Sequence, residues 1–428
     1  MIGMRTYIRT YGCTLNQADS DIMQNILTSN GIYKSDQEKA DVVIVNTCTV
    51  KTPTERKILE FLAHMEAAKK KMIVMGCMAS ANQDLIERFA PSASIVTASN
   101  MHMICSAVNE TANGRRIVSD SYAKNDSLKF FSHEEGVIAR VPTNYGCLSS
   151  CSFCETKFAR GPLNSFPEET IINAVSQSVR NGAKEIQLTS QDMGAYGIER
   201  RTNITELMKK ISGLDGDFRV RIGMLNPEHL GRQINELIEA LQSDKFYKFI
   251  HIPVQSGSDE VLKSMRRNYT VGQFKGFVDL LRDSINGITI ETDLIIGYPT
   301  ETKQDFKQTL EFIKEVKPDV TNISKFTPRP HAIASKLKQR SQNVIKSRCA
   351  EASRVVREVQ HNINDRFIGK CLDVITTEKS KISVNGRTES YKQVVMNHNQ
   401  DKNTELGLLK RVLIYTASAN VLYGRIVG

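Results

Sequence analysis

The sequence predicts an α/β chain in three parts: an N-terminal parallel α/β domain (residues 1–112), a central partial (β/α)6 barrel (133–363) and a small all-β barrel (366–428). Three observations carry this. Short apolar runs of buried-strand type alternate with helix-period segments through the first two parts, the pattern of parallel strands joined by helical crossovers. The stretch Asn113–Glu135 between them is polar, rich in Ser, Lys and Asp, and reads as an irregular linker. After about residue 366 the pattern shortens to alternating strands separated by turns such as Asn385-Gly386. A length of 428 residues suits about three domains.

In the first part, Met4–Thr10 alternates and ends in Tyr11-Gly12-Cys13-Thr14, with a helix expected over 16–29 and closed by Asn30-Gly31. Asp41–Asn46 is an apolar strand ending in Thr47-Cys48-Thr49, before a helix near 53–70. Lys71–Met75 is the third strand and ends in Gly76-Cys77. Each cysteine therefore follows the carboxyl end of its strand. In a parallel α/β sheet those ends share one edge, where ligands collect. One such cysteine reads as a small buried hydrophobe; three in equivalent places read as the ligand set Cys13, Cys48 and Cys77. Cys105, in the helical stretch after Asn100, lies outside this pattern and reads as structural.

The central part opens with an apolar strand over 137–143 and then Asn144-Tyr145-Gly146-Cys147-Leu148-Ser149-Ser150-Cys151-Ser152-Phe153-Cys154. Three thiols spaced C-x3-C-x2-C in one Gly/Ser-rich loop suit a cubane iron–sulfur cluster whose fourth iron has no protein ligand. Zinc would want four ligands, and no fourth Cys or His lies near in sequence. Further strands are expected at 185–189, 218–224, 248–254, 288–296 and 320–326, and helices at 167–181, 203–211, 227–242, 271–284 and 301–316. Barrels of this kind work at the carboxyl ends of their strands. Polar groups stand there: Thr189–Tyr196 with Gln191 and Asp192, then Arg221, Asn226 and Glu228 of the third strand and its loop, Pro253–Ser258 with Gln255 and Ser256, and Ile296–Pro299 with Gly297 and Pro299. Taken singly these are ordinary turns. His251 reads as a satisfied core histidine, and Met193, Met224 and Met265 as packing. Cys349 and Cys371 belong to no motif.

The C-x3-C-x2-C loop resembles that of the radical S-adenosylmethionine (SAM) superfamily. The resemblance implies that the open iron holds the amino and carboxylate groups of SAM, that Phe153 lies near the adenine, and that Gln191, Asp192, Gln255, Ser256, Gly297 and Pro299 contact SAM. With a three-cysteine α/β domain ahead of it, the chain is similar to the methylthiotransferases. Tyr11-Gly12-Cys13-Thr14-Leu15-Asn16-Gln17-Ala18-Asp19-Ser20 matches their opening motif and Asn46-Thr47-Cys48-Thr49-Val50 their second. Thr156–Gly161, Thr189–Gly197 and Phe326-Thr327-Pro328-Arg329-Pro330 look most like the archaeal and eukaryotic branch. Its substrate is N6-threonylcarbamoyladenosine at tRNA position 37, methylthiolated at C2. The implied cofactors are two 4Fe–4S clusters, at Cys13/Cys48/Cys77 and at the catalytic Cys147/Cys151/Cys154, together with SAM. The implied partners are the tRNA anticodon loop, an electron donor and a sulfur source. The C-terminal barrel resembles the RNA-binding TRAM domain. Nothing in the residue chemistry singles out threonylcarbamoyl from isopentenyl. Another tRNA adenosine, a ribosomal-protein side chain, or a non-enzymatic iron–sulfur RNA-binding protein are the alternatives.

Composition agrees with this picture. The net charge of +10 points to a polyanionic partner. Residues 366–428 hold ten Lys/Arg against five Asp/Glu, and 320–350 hold seven basic residues and no acidic one. Nine cysteines suit metal or redox chemistry better than disulfides in a reducing compartment. No window reaches the ~18 apolar residues of a membrane span, and Met1–Tyr7 lacks a signal core, so a cytoplasmic protein without a membrane partner is expected.

Overall fold

The structure, a computed structural model, describes residues 3–49, 52–119, 122–397 and 405–427. Six strands open the chain: β1 (Arg5–Thr10), β2 (Tyr33–Lys34), β3 (Val42–Thr47), β4 (Met72–Gly76), β5 (Ser94–Thr97) and β6 (Val118–Ser119). They form one parallel sheet in the order β2-β1-β3-β4-β5-β6. β3 and β4 are buried throughout because helices cover both faces, and apolar except for Asn46 and Thr47 at the end of β3. Helix Thr14–Ser29 packs Ile22, Met23 and Leu27 on one face, and helix Thr52–Ala67 packs Ile58 and Leu62 on the other. The sequence pattern exposes three of these strands. β2 and β6 are two-residue edge pairings, and β5 is a fully buried run of only four residues, all too short to leave a periodic signal. β6 and the 3-10 turn Ser127–Phe130 lie within the stretch expected to be irregular, which is therefore partly ordered onto the sheet.

The central strands are β7 (Ile138–Pro142), the short ladder β8 (Asn144–Tyr145) with β9 (Asn164–Ser165), β10 (Glu185–Thr189), β11 (Arg219–Ile222), β12 (Phe249–His251), β13 (Thr289–Ile296) and β14 (Val320–Lys325). β7, β10 and β11 form one parallel set, and β12, β13 and β14 another. Val220 bridges to Phe246, and Leu225 N donates to His251 O at 2.9 Å, so the two sets make one open, curved wall. Along these strands Ala139, Val141, Ile186, Leu188, Val220, Ile222, Ile250 and Ile290 pack outward under the helices. The alternate positions are polar: Arg140, Gln187, Arg221, His251, Glu291, Asp293 and Asn322. This is period-two alternation with a polar interior. His251 is satisfied as expected, its Nε2 2.9 Å from Asp293 Oδ2. The helix expected over 227–242 is two helices, Pro227–Leu230 and Ile234–Leu241, divided at Gly231, a poor helix former.

Helix Gln342–Asn364 leads to β15 (Cys371–Lys379), β16 (Ser383–Thr388), β17 (Gln393–Asn397), β18 (Leu409–Ala417) and β19 (Leu422–Ile426). They close as a barrel in the order β15-β16-β17-β19-β18 around Val374, Val384, Val394, Met396, Val412, Ile414 and Leu422. Asn385-Gly386, expected to turn, lies inside β16. A Cβ on Gly386 would stand 2.5 Å from Ile375 O, so the residue serves close strand approach. The barrel docks on the amino-end side of the central wall: Tyr391 OH donates to Glu185 at 2.8 Å, and Lys392 Nζ reaches Asp319 at 2.9 Å. Among the described residues no helix is long and apolar enough to cross a membrane.

Candidate functional site: two thiol sets joined by an arginine

The first thiol set is built from three strand ends. Cys13 precedes helix Thr14–Ser29, Cys48 follows β3, and Cys77 opens helix Cys77–Ala81. Gly12 and Gly76, each one residue before a cysteine, have φ of 108° and 89°. A Cβ on Gly12 would lie 2.7 Å from Cys48 Cβ, and one on Gly76 would lie 2.5 Å from Asn46 Oδ1. Only glycine permits both the left-handed backbone and that approach. Amide side chains lock the ends together. Asn16 Nδ2 donates to Tyr11 O and Thr47 O, both at 2.8 Å, and Asn46 Nδ2 to Asn16 O at 2.7 Å. Val50, the last residue of the second motif, lies outside the described residues.

The second set hangs from the β8–β9 ladder. Its middle is pinned by Ser152, whose N donates to Met265 O at 3.0 Å and whose Oγ donates to Ser264 O at 2.8 Å. Cys154 Sγ accepts from Thr156 N at 3.3 Å. Arg267, almost fully buried, donates from Nη1 to Cys151 Sγ at 3.3 Å and from Nη2 to Pro253 O at 3.3 Å. Burial, followed by the Asp192 charge and the neighbouring thiols, pushes the Cys147 thiol up to about 12. Crowded, desolvated thiols resist ionisation alone; a cationic metal centre reverses that and takes them as thiolates.

The two sets meet through Arg160. It ends the five-residue helix Thr156–Arg160 that leaves the second loop. Its Nε donates to Cys77 Sγ at 3.2 Å, Nη1 to Asp19 at 2.6 Å and Nη2 to Asn16 Oδ1 at 2.7 Å. Tyr145, beside the second loop, donates to the other Asp19 oxygen. The Arg160–Asp19 side chains are 1% and 2% exposed, a fully desolvated pair. Breaking such a pair leaves a lone buried charge and costs about 3–5 kcal/mol. Arg160→Leu is therefore expected to lower the urea midpoint sharply. The double variant Arg160→Leu/Asp19→Leu should recover part of the loss, because neither charge is then left alone. Nothing local to Phe158-Ala159-Arg160-Gly161 announces this role, since Arg160 joins partners 83 and 141 residues away.

Among the described residues no three His, Cys, Asp or Glu side chains close on a single metal ion. A cubane sets a different demand, each thiolate taking its own iron. Three thiols per site, each site carrying an arginine N–H on one sulfur, fit an anionic thiolate cluster better than a lone cation.

The residues expected to contact SAM surround the second loop. Asp192 Oδ1 accepts from Gly194 N and Asn226 N, both at 3.0 Å, and so ties the loop after β10 to the one after β11. Its Oδ2 has no hydrogen bond and faces His229 Nε2 at 3.4 Å; Gln191 Oε1 is also buried without a hydrogen bond. Orphaned buried acceptors are costly unless a ligand donates to them. Gln255 (φ 71°) extends the ladder beside β13, its N donating to Asp293 O at 2.8 Å, and Ser256 is buried behind it. Gly297 N donates to Glu301, whose carboxylate is held by Arg348. Pro299 is buried beside Tyr298. Phe153 packs with Tyr298, Phe326 and Met265, bringing the third-cysteine aromatic to the Gly297 loop.

The basic run is divided in its duties. Arg329 is buried against Glu55 of the N-terminal part at 2.6 Å, and Arg348 pairs with Glu301. Lys325, Lys336, Lys338 and Lys346 remain exposed.

Residues 5–98 match a family described as Uncharacterized protein family UPF0004, and residues 141–313 match the Radical SAM superfamily. A probable threonylcarbamoyladenosine tRNA methylthiotransferase of Archaeoglobus fulgidus is 41% identical over 399 residues, 92% of this chain and 93% of that one. One from Methanothermobacter thermautotrophicus is 37% identical over 99% of both chains. The Homo sapiens threonylcarbamoyladenosine tRNA methylthiotransferase is 33% identical over 99% of this chain and 74% of its own. Among solved structures, the radical S-adenosylmethionine methyltransferase TsrM from Kitasatospora setae superimposes with a TM-score of 0.58 at 14% identity. That match covers 78% of this chain and 77% of TsrM. At that identity the likeness concerns the fold alone.

Proposed function

The chain belongs to the threonylcarbamoyladenosine tRNA methylthiotransferases, radical SAM enzymes, and on that premise we propose that it methylthiolates C2 of N6-threonylcarbamoyladenosine at position 37 of tRNA. The observation that carries this reading is the pair of three-thiol sets, with Arg160 of the helix that follows the second set donating to Cys77 of the first. An adenine C2–H is neither acidic enough for a general base nor able to leave to a nucleophile, so acid–base catalysis offers no route. Cys147, Cys151 and Cys154 would hold a 4Fe–4S cluster that would supply the electron for cleaving SAM to methionine and a 5′-deoxyadenosyl radical, and Cys13, Cys48 and Cys77 would hold one offering a site for the incoming sulfur. The protein's part is position. Arg267 and Arg160 each donate to a ligand sulfur, Phe153 and the Gly297–Pro299 loop flank the adenine side of SAM, and Gln191 with Asp192 offers acceptors to its methionine part. Gln255 and Ser256 line the next strand end. Three functional units follow, at 1–112, 133–363 and 366–428, acting in the cytoplasm with an external electron donor and sulfur source.

Mass spectrometry of nucleosides from tRNA incubated with SAM, reductant and reconstituted enzyme tests the reading. The expected product is the 2-methylthio derivative of threonylcarbamoyladenosine. Product on another nucleoside, or 5′-deoxyadenosine with no modified tRNA, would exclude it.

RNA contact is assigned to the C-terminal barrel. Deleting it would uncover the Tyr391–Glu185 and Lys392–Asp319 contacts, so substitution is the cleaner probe. Lys370, Lys381 and Arg425 are exposed on the barrel. Each cation that leaves a phosphate should reduce the slope of log affinity against log salt by about 0.9. The triple Gln variant is expected to bind tRNA more weakly and with a flatter salt dependence. An unchanged slope would move the RNA contact to the exposed lysines between 325 and 346.

A further inference from the structure

The polar interior of the central wall lines an open cavity of about 410 Å³ on its amino-end side, with Arg387, Tyr391 and Lys392 of the C-terminal barrel on the facing side. That size suits a small-molecule moiety. Thr14 and Gln17 line it from the first turn of the helix that follows Cys13. On its wall Arg140, Gln187 and Arg221 stand in register across β7, β10 and β11. Registered residues on parallel strands share a face, and two strand spacings put the arginine Cα atoms about 10 Å apart, with the Gln187 amide between them.

The charges here are unevenly spent. Arg221 makes no hydrogen bond or ion pair among the described residues; its guanidinium lies 5.3 Å from the Phe249 ring centre and 6.0 Å from that of Tyr391. Arg140 has one long contact, Nη1 to Asp21 at 3.3 Å, and its Nε is buried without a partner. The facing acids are engaged: Glu291 accepts from Asn322 at 2.8 Å, and Asp319 holds Lys392. A half-buried guanidinium stacked on rings, with its N–H fork unused, is pre-organised for a planar anion, and a carboxylate matches that fork with two parallel hydrogen bonds.

We infer that Arg221, with Arg140 across Gln187, binds the free carboxylate of the threonyl group, making this cavity the pocket that selects threonylcarbamoyladenosine over adenosines with uncharged N6 substituents. The inference rests on the function proposed above. It gives a chemical basis for the nucleoside choice, because the carboxylate is the charge an isopentenyl group lacks.

The test uses the full-length reconstituted enzyme and two tRNAs, one with the natural carboxylate and one with that group converted to the carboxamide. Wild type should favour the carboxylate by about 100-fold in kcat/KM, because the carboxamide keeps one acceptor oxygen but loses the second and the charge that makes each hydrogen bond to an arginine roughly twice as strong. Arg221→Gln should bring that ratio close to one by losing activity on the carboxylate form, and Arg221→Lys should keep part of it. Binding of the two tRNAs to the metal-free protein, read by fluorescence anisotropy, should show the same loss of preference. The ratio is internal to each variant, so partial misfolding does not imitate the effect. Equal losses on both tRNAs, or a wild type indifferent to the carboxamide, overturn the inference alone. A wild type that methylthiolates neither tRNA overturns the proposed function, and the inference with it.

Discussion

Replacing Cys147, Cys151 and Cys154 together by Ala is expected to remove half of the iron from anaerobically reconstituted protein and to abolish all cleavage of SAM. The three thiols sit in one loop fixed at its centre by Ser152, whose bonds to Ser264 O and Met265 O involve no thiol, so the loop should keep its path without them. The other thiol set is built on separate strand ends and should keep its own cluster. Iron and sulfide assays, with 5′-deoxyadenosine as the product measured, separate the outcomes. Wild-type protein that holds zinc, or iron for only one cluster, would end the two-cluster reading.

Cys48→Ala is expected to abolish methylthiolation while 5′-deoxyadenosine still forms. Cys48 is buried where the loops of Cys13 and Cys77 converge, and alanine fills most of its place. The fold should therefore suffer little, as volume-conserving core changes usually cost under about 1.5 kcal/mol. What is lost is a ligand of the set assigned to sulfur delivery, whereas radical formation is assigned to the other set. Full product formation by this variant would exclude an essential N-terminal cluster. Loss of SAM cleavage as well would show that the two sites fail as one unit, with Arg160 the evident connection.

Much of the site was readable because its information is local or follows from the fold's symmetry. C-x3-C-x2-C lies within a single loop, and its meaning depends on nothing distant. Cys13, Cys48 and Cys77 are far apart in the chain, yet each ends a strand, and parallel strands joined by helical crossovers bring like ends to one edge. What was hidden rests on long-range partners. Arg160 looked like one residue of a motif, and Arg329 and Arg348 like members of a basic face. Glu55 and Glu301, which engage the latter two, stand in other elements. Asn385-Gly386 carried a strong local turn signal that closure of the barrel overrode.

By itself the sequence determined the α/β class and the closing β barrel, which follow from periodicity, and it marked out two cysteine sets by spacing and strand-end position; the chemistry expected of them came from the family resemblance. Only the tertiary structure decided which charges are spent and which are free. Arg160 is consumed by Asp19, while Arg221, one residue of an alternating strand, faces a cavity with no hydrogen bond from its guanidinium among the described residues. The reason is physical: the energy of a charged side chain depends on solvent exposure and on partners within a few ångströms, and in this chain folding brings those partners from far along the sequence.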